Sequence, residues 1–157
     1  MNISVRKGFS FGLVTAIITT LALMVGLSAS TSSVIVVISG IVIIAVADAL
    51  SDSLGMHISE EAEYKHSNRE VWESTGATFA AKFMVALTFI APVLLLPLQM
   101  AIVASVIWGL LLITVLSFFV AKHQKKNIPW TIAEHIALML FIILISHGLG
   151  TWLSTLA

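Results

Sequence analysis

The sequence predicts an all-α integral membrane protein with five transmembrane helices, and three observations carry that expectation. Of 157 residues, 59% are hydrophobic and only 10% are charged, where an ordinary soluble domain carries about 25% charged residues. Five apolar stretches, 8–29, 33–57, 76–97, 99–121 and 130–155, each reach the roughly 20 residues that a helix needs to cross a bilayer. Every Lys and Arg then falls on one side of the resulting topology, which the positive-inside rule makes cytoplasmic.

The first span follows Arg6 and Lys7, which place the N-terminus in the cytoplasm. A signal-peptide reading, with Ser28-Ala29-Ser30 near its end, is the lesser option because the apolar run exceeds the roughly 7–15 residues of a signal h-region. Gly8, Gly12, Thr15, Ala16, Thr19, Ala22, Gly26 and Ala29 recur at three- and four-residue steps. Such a stripe of small residues lets helices approach closely, as internal packing or as a homodimer seam, and Thr15 and Thr19 could instead line a path. Ser30 to Ser32 form an uncharged turn into the second span. The third span follows a polar connection, residues 58–75, that carries Lys65 and Arg69, and Lys82 lies early within it. Pro92 is expected to kink this span and Pro97 to end it, because proline lacks an amide donor and clashes with the preceding turn. Lys122, Lys125 and Lys126 follow the fourth span. The fifth has Trp130 and Trp152 near its two ends, as interface anchors, and ends outside the cell. Trp108 is expected to be a packing residue.

The whole chain reads as one membrane domain. The absence of cysteine excludes disulfides, thiolate metal sites and cysteine nucleophiles. A net charge of zero argues against a nucleic-acid partner.

Of the 8 acidic residues, all but Glu134 lie between Asp48 and Glu73. Charge in or against a bilayer is costly and marks a functional hypothesis. Asp48 lies roughly 22 Å along the second span, in the cytoplasmic third of the hydrocarbon, with Asp52 a turn further. Residues four apart share a helix face, so Asp48, Asp52 and Met56 form one stripe. Two carboxylates that close either share a proton or bind a cation. Their oxygens, with the thioether of Met56 and the imidazole of His57, suit iron or manganese better than calcium. Other readings stay open: Asp52 snorkels at the interface, Asp48 hydrogen-bonds a neighbouring span, or Lys82, at similar depth, forms a structural ion pair with them.

Glu60, Glu61, Glu63, His66, Glu70 and Glu73 follow in the cytoplasmic segment. As a set they read as a cation-collecting vestibule; individually they read as a solvated connector, with Glu63 and Glu70 pairing with Arg69. Helical continuation of span two into this segment fits its Glu, Ala and Lys content. His66 and Glu70 also echo a zinc-ligand spacing, but no hydrolase motif surrounds them and no enzyme is expected. His147 in span five reads as a hydrogen-bonded structural histidine, with a ligand or a proton carrier as the lesser option. Glu134, at the start of that span, suits the helix dipole or a path.

At these residues the chain resembles the vacuolar iron transporter family. The resemblance lies in G-F-S-F-G-L-V-T-A at 8–16 followed by L-M-V-G-L-S at 23–28; in S-G at 39–40 followed by A-L-S-D-S-L-G-M-H-I-S-E-E-A-E at 49–63; and in L-T-F-I-A-P-V-L-L-L-P-L at 87–98. Phe11 stands where that family has a first-span aspartate, Ala16 where it has a proline, Ile44 near its second-span glutamate and Asp52 where it has methionine. The resemblance implies a dimeric, five-span, proton-coupled exporter of ferrous iron and related divalent metals, loaded by cytoplasmic glutamates. The expectation is therefore a homodimer, with spans one and two at its axis, in the plasma membrane of a prokaryote. It would transport Fe2+ or Mn2+, with Co2+ or Zn2+ as further cargo, and a non-transporting membrane subunit or metal sensor is the alternative.

Overall fold

The computed structural model describes residues 3–63 and 67–156. The helices in chain order are α1 (Ile3–Thr31), α2 (Val34–Ile43), a π-helical turn (Ile44–Asp48), α3 (Ala49–Ala62), α4 (Asn68–Thr88), α5 (Ile90–Leu95), α6 (Leu98–Gln124) and α7 (Ile128–Ser154). They form five spans long and apolar enough to cross a membrane: Ile3–Thr31, Val34–Ala62, Asn68–Leu95, Leu98–Gln124 and Ile128–Ser154. The chain is thus an all-helical integral membrane protein. His66, singled out above as a candidate ligand, lies outside the described residues.

The helices run further than hydropathy suggests at the basic end. Segment 58–75 is not a free connector: α3 continues to Ala62 and α4 already begins at Asn68. The start of α4 is set by a capping box. Ser67 N donates to Glu70 Oε2 at 2.9 Å and Glu70 N to Ser67 Oγ at 3.4 Å, which satisfies amides that the first helical turn leaves without intrahelical partners. Span three is interrupted at Phe89, between α4 and α5. Pro92 cannot donate to the Thr88 carbonyl, so the ladder loses a bond there. Leu96 is extended, and Pro97 caps α6. The turn after α1 places Ser32 at φ 52°, and α6 ends on Lys125 at φ 54°, the left-handed conformation that commonly stops a helix.

α1 is the central helix, packed against α4, α7, α6 and α2. Its small-residue stripe is used inside the chain. A Cβ on Gly8 would lie 2.3 Å from Ser74 O, and one on Gly12 2.5 Å from Thr78 O, so α4 sits directly on the first half of α1. Thr78 Oγ1 donates to Gly8 O at 3.1 Å across this contact. The second half of α1 meets α7, where a Cβ on Gly150 would lie 2.3 Å from Gly26 O and Ser146 Oγ donates to Ala22 O at 2.7 Å. Between these contacts lies the apolar core of Ile17, Leu21, Met24, Val37, Ile41, Phe89, Val93, Ile113 and Met139. Trp108 keeps partial exposure, and its Nε1 donates to Thr88 Oγ1 at 3.1 Å, so it contacts α4 beside the span-three break.

Candidate functional site: a lysine held between two intramembrane aspartates

Span two carries the site because its register is altered midway. Val37, Ile41, Ala45, Ala49 and Ser53 are all buried at four-residue steps. An ideal α-helix would turn such a row by about 40° at each step, away from its neighbours. The π turn Ile44–Asp48 winds more slowly and holds the row against α1 and α4; π turns of this kind are frequent at functional sites. Asp48 is its last residue, so the side chain is delivered to the α1–α4 side.

There it meets Lys82 of α4. The Lys82 Nζ lies 2.6 Å from Asp48 Oδ2 and pairs with Asp52 Oδ2 as well. The lysine side chain is 1% exposed, against 36% for Asp48 and 23% for Asp52. A buried ammonium is sustained only by close counter-charges, and the two aspartates supply them. Thr19 of α1 completes the group. Its Oγ1 lies 2.7 Å from Thr15 O and 3.3 Å from Asp48 Oδ2, so its one proton serves a single acceptor at a time. With all three groups ionised the cluster carries a net charge of −1.

A second carboxylate–lysine cluster lies further along the same helix. Lys7 of α1 contacts Glu60 Oε1 and Glu63 Oε1, each at 2.6 Å. Glu60 is fully buried, whereas Lys7 and Glu63 reach solvent. Buried Met56 occupies the same face of α3 between the two clusters, which are separated by roughly 12 Å of helix from Asp52 to Glu60. The sequence marked Lys7 only as a sidedness signal. Its position before span one, at the same end as Glu60 and Glu63, was the available clue to its pairing.

The remaining expected site residues go elsewhere. His57 Nδ1 is 3.0 Å from Thr75 Oγ1, and its ring meets Trp72 edge-on at 4.7 Å; it faces α4 rather than Asp52. Glu61 is exposed. Glu70 belongs to the α4 capping box; among the described residues Glu73 accepts from Arg69 Nε at 2.7 Å and Glu63 pairs with Lys7, where the connector reading had Glu63 and Glu70 pair with Arg69. Thr15 Oγ1 donates to Phe11 O at 3.0 Å within its own helix. Glu134 is exposed beside Lys126, Trp130 and His135 in a polar recess, and His135 Nδ1 lies 2.7 Å from Ser117 Oγ. His147 is exposed on α7. Among the described residues, no three His, Asp or Glu side chains converge in a way that could hold a metal ion. Of the carboxylates, Asp48 and Asp52 are gathered by Lys82, and Glu60 and Glu63 by Lys7.

No protein-family model matches the chain, and no curated protein matches it. The likeness to iron transporters therefore rests on the residues quoted above.

Proposed function

We propose that the protein is a proton-coupled transporter of divalent cations, iron or manganese first, in which Lys82 is the built-in cation that keeps the empty site neutralised. The observation that carries this reading is a pair of partly exposed carboxylates, Asp48 and Asp52, set at a π-helical turn inside a membrane span; their pairing with Lys82 is the structural ion pair that the sequence left open, and by itself it favours the second reading below. Charge accounting supports exchange: a divalent ion seated between the carboxylates changes the charge of the cluster by +2, net charge in oil is costly, and entry of the ion therefore calls for positive charge to leave, with protons as the proposed carriers. Glu60, Glu63 and Lys7 form the outer station at the basic end, and Met56 separates it from the inner one.

The basic end faces the cytoplasm in this reading, by the positive-inside rule, so loading from there makes the protein an exporter in a prokaryotic plasma membrane. The active unit is a homodimer. Ala47, Ser51 and Gly55 are exposed at four-residue steps on span two, and no atom outside its own helix lies within 4 Å of a Cβ added at Gly55. That edge suits close helix contact with a second copy, which would also cover the partly exposed Asp48 and Asp52. The dimer axis thus runs along span two, since the small-residue face of α1 is filled by α4 and α7.

Proteoliposome flux tests the reading. Fe2+ or Mn2+ should move with counterflow of protons, read by a trapped pH dye, and Asp48→Asn or Asp52→Asn should abolish both signals. Metal flux unchanged by both substitutions, or no flux in the wild type, would overturn it. The second reading, a non-transporting membrane subunit or metal sensor, is favoured by the local pairing of Glu60, Glu63, Glu70 and Glu73 and by the neutralisation of the aspartates within the chain. It predicts an intact fold, with or without bound metal, and no flux.

A further inference from the structure

We propose that the groove between α1 and α6 is a binding site for one anionic glycerophospholipid, drawn from the leaflet at the basic end of the bundle. The N-terminal half of α1 and the C-terminal half of α6 line an open groove of about 1070 Å³ there. Its walls are apolar, with Ile17, Leu112, Leu116 and Phe119 among them, and its mouth carries Arg6 and His123. From Arg6 to Ile17, and from His123 back to Leu112, the walls run roughly 16 Å. That is half of the roughly 30 Å hydrocarbon thickness, the depth of one leaflet.

Charge selects the headgroup. No carboxylate lines the groove among the described residues, and Arg6 has no carboxylate partner among them. Lys7, next to it, is already engaged by Glu60 and Glu63. Lys122, next to His123, lies over the Phe118 ring at 5.8 Å from its centroid. An arginine fork matches a phosphodiester with two parallel hydrogen bonds, and basic recesses between membrane helices are suited to anionic headgroups. A zwitterionic lipid brings its own cation to this mouth and loses the advantage.

The absence of cysteine makes the test direct, because Leu116→Cys supplies a unique labelling point within the groove. The labelled protein is placed in nanodiscs of equal phosphatidylglycerol and phosphatidylcholine, with bromine on the acyl chains of one lipid at a time. Brominated phosphatidylglycerol should quench a fluorophore on the introduced thiol more strongly than brominated phosphatidylcholine. Native mass spectrometry of the wild type should retain one phosphatidylglycerol per chain, and Arg6→Gln should lower that retention about tenfold, the worth of one charge-assisted hydrogen bond. Inorganic phosphate at millimolar concentration should not displace the lipid. Equal quenching by the two lipids, retention unchanged in Arg6→Gln, or displacement by phosphate would each overturn the proposal. So would efficient disulfide cross-linking of two Leu116→Cys chains through that thiol, which would make the groove a seam between copies. None of these measurements involves Asp48, Asp52 or transport.

Discussion

Replacing Lys82 with glutamine separates a cation that merely fills a structural niche from one that stands in for cargo. At 2.6 Å and an effective dielectric of ~20, each lysine–aspartate contact supplies about 6 kcal/mol of Coulomb attraction. Desolvation of the three groups offsets several kcal/mol per ion. Removing one partner of a buried ion pair costs about 3–5 kcal/mol, because the remaining charge is stranded. Asp48 and Asp52 keep partial exposure, which puts Lys82→Gln near the lower end, about 3 kcal/mol. If the vacated carboxylates form a divalent-cation site, an ion at 100 times its Kd returns about 2.7 kcal/mol, nearly the whole loss. The assay is thermal unfolding of purified protein in neutral detergent, followed by the fluorescence of its 4 tryptophans, in chelator and in a Mn2+ series. Lys82→Gln should unfold earlier than the wild type in chelator and recover most of the difference in Mn2+, while the wild type moves little. The triple variant Lys82→Met with Asp48→Asn and Asp52→Asn, which strands no charge, should lie close to the wild type and ignore Mn2+. A Lys82→Gln protein that Mn2+ stabilises no more than it stabilises the wild type would refute the idea that Lys82 holds a cation's place.

Three further outcomes follow from the packing. Gly12→Val should destabilise the bundle by about 1–3 kcal/mol or more, since the first added carbon already falls 2.5 Å from Thr78 O; a lower unfolding midpoint with loss of α1–α4 protection in hydrogen exchange checks it. Ser67→Ala removes the α4 cap and should cost about 1 kcal/mol, appearing as faster amide exchange in the first turn after Asn68 with no effect at Lys82. Lys125→Gly should raise the unfolding midpoint by the equivalent of about 1 kcal/mol, because glycine adopts the left-handed conformation found there without steric cost.

Much of this architecture is legible in the amino-acid order. Five apolar runs specify five helices because the backbone in oil must satisfy its own polar groups. Pro92 and Pro97 mark the break and end of span three because proline removes a donor wherever it stands. The continuation of span two past its apolar stretch was legible in the Glu, Ala and Lys content of the segment, and α3 runs to Ala62. The start of α4 at Asn68 was less legible, because capping by Ser67 and Glu70 acts outside the apolar window. The π turn left a faint trace, the four-residue spacing of Ala45, Ala49 and Ser53, which in an ideal helix would drift off the buried face.

The sequence by itself determined that the chain lives in a membrane, how often it can cross, and that its negative charge is concentrated on span two and just beyond. Those properties depend on residue type and on neighbours a few positions away. Lys82 was one partner that the sequence left open for the aspartates, and only the tertiary structure decided among the options for what that charge faces. Lys82 is thirty-four and thirty positions from Asp48 and Asp52, and Lys7 is more than fifty from Glu60. Their meeting depends on α4 packing against the glycines of α1 and on the extra residue in the π turn. Electrostatic partners in a bundle are chosen by distance and depth in three dimensions, which a linear order of residues does not state.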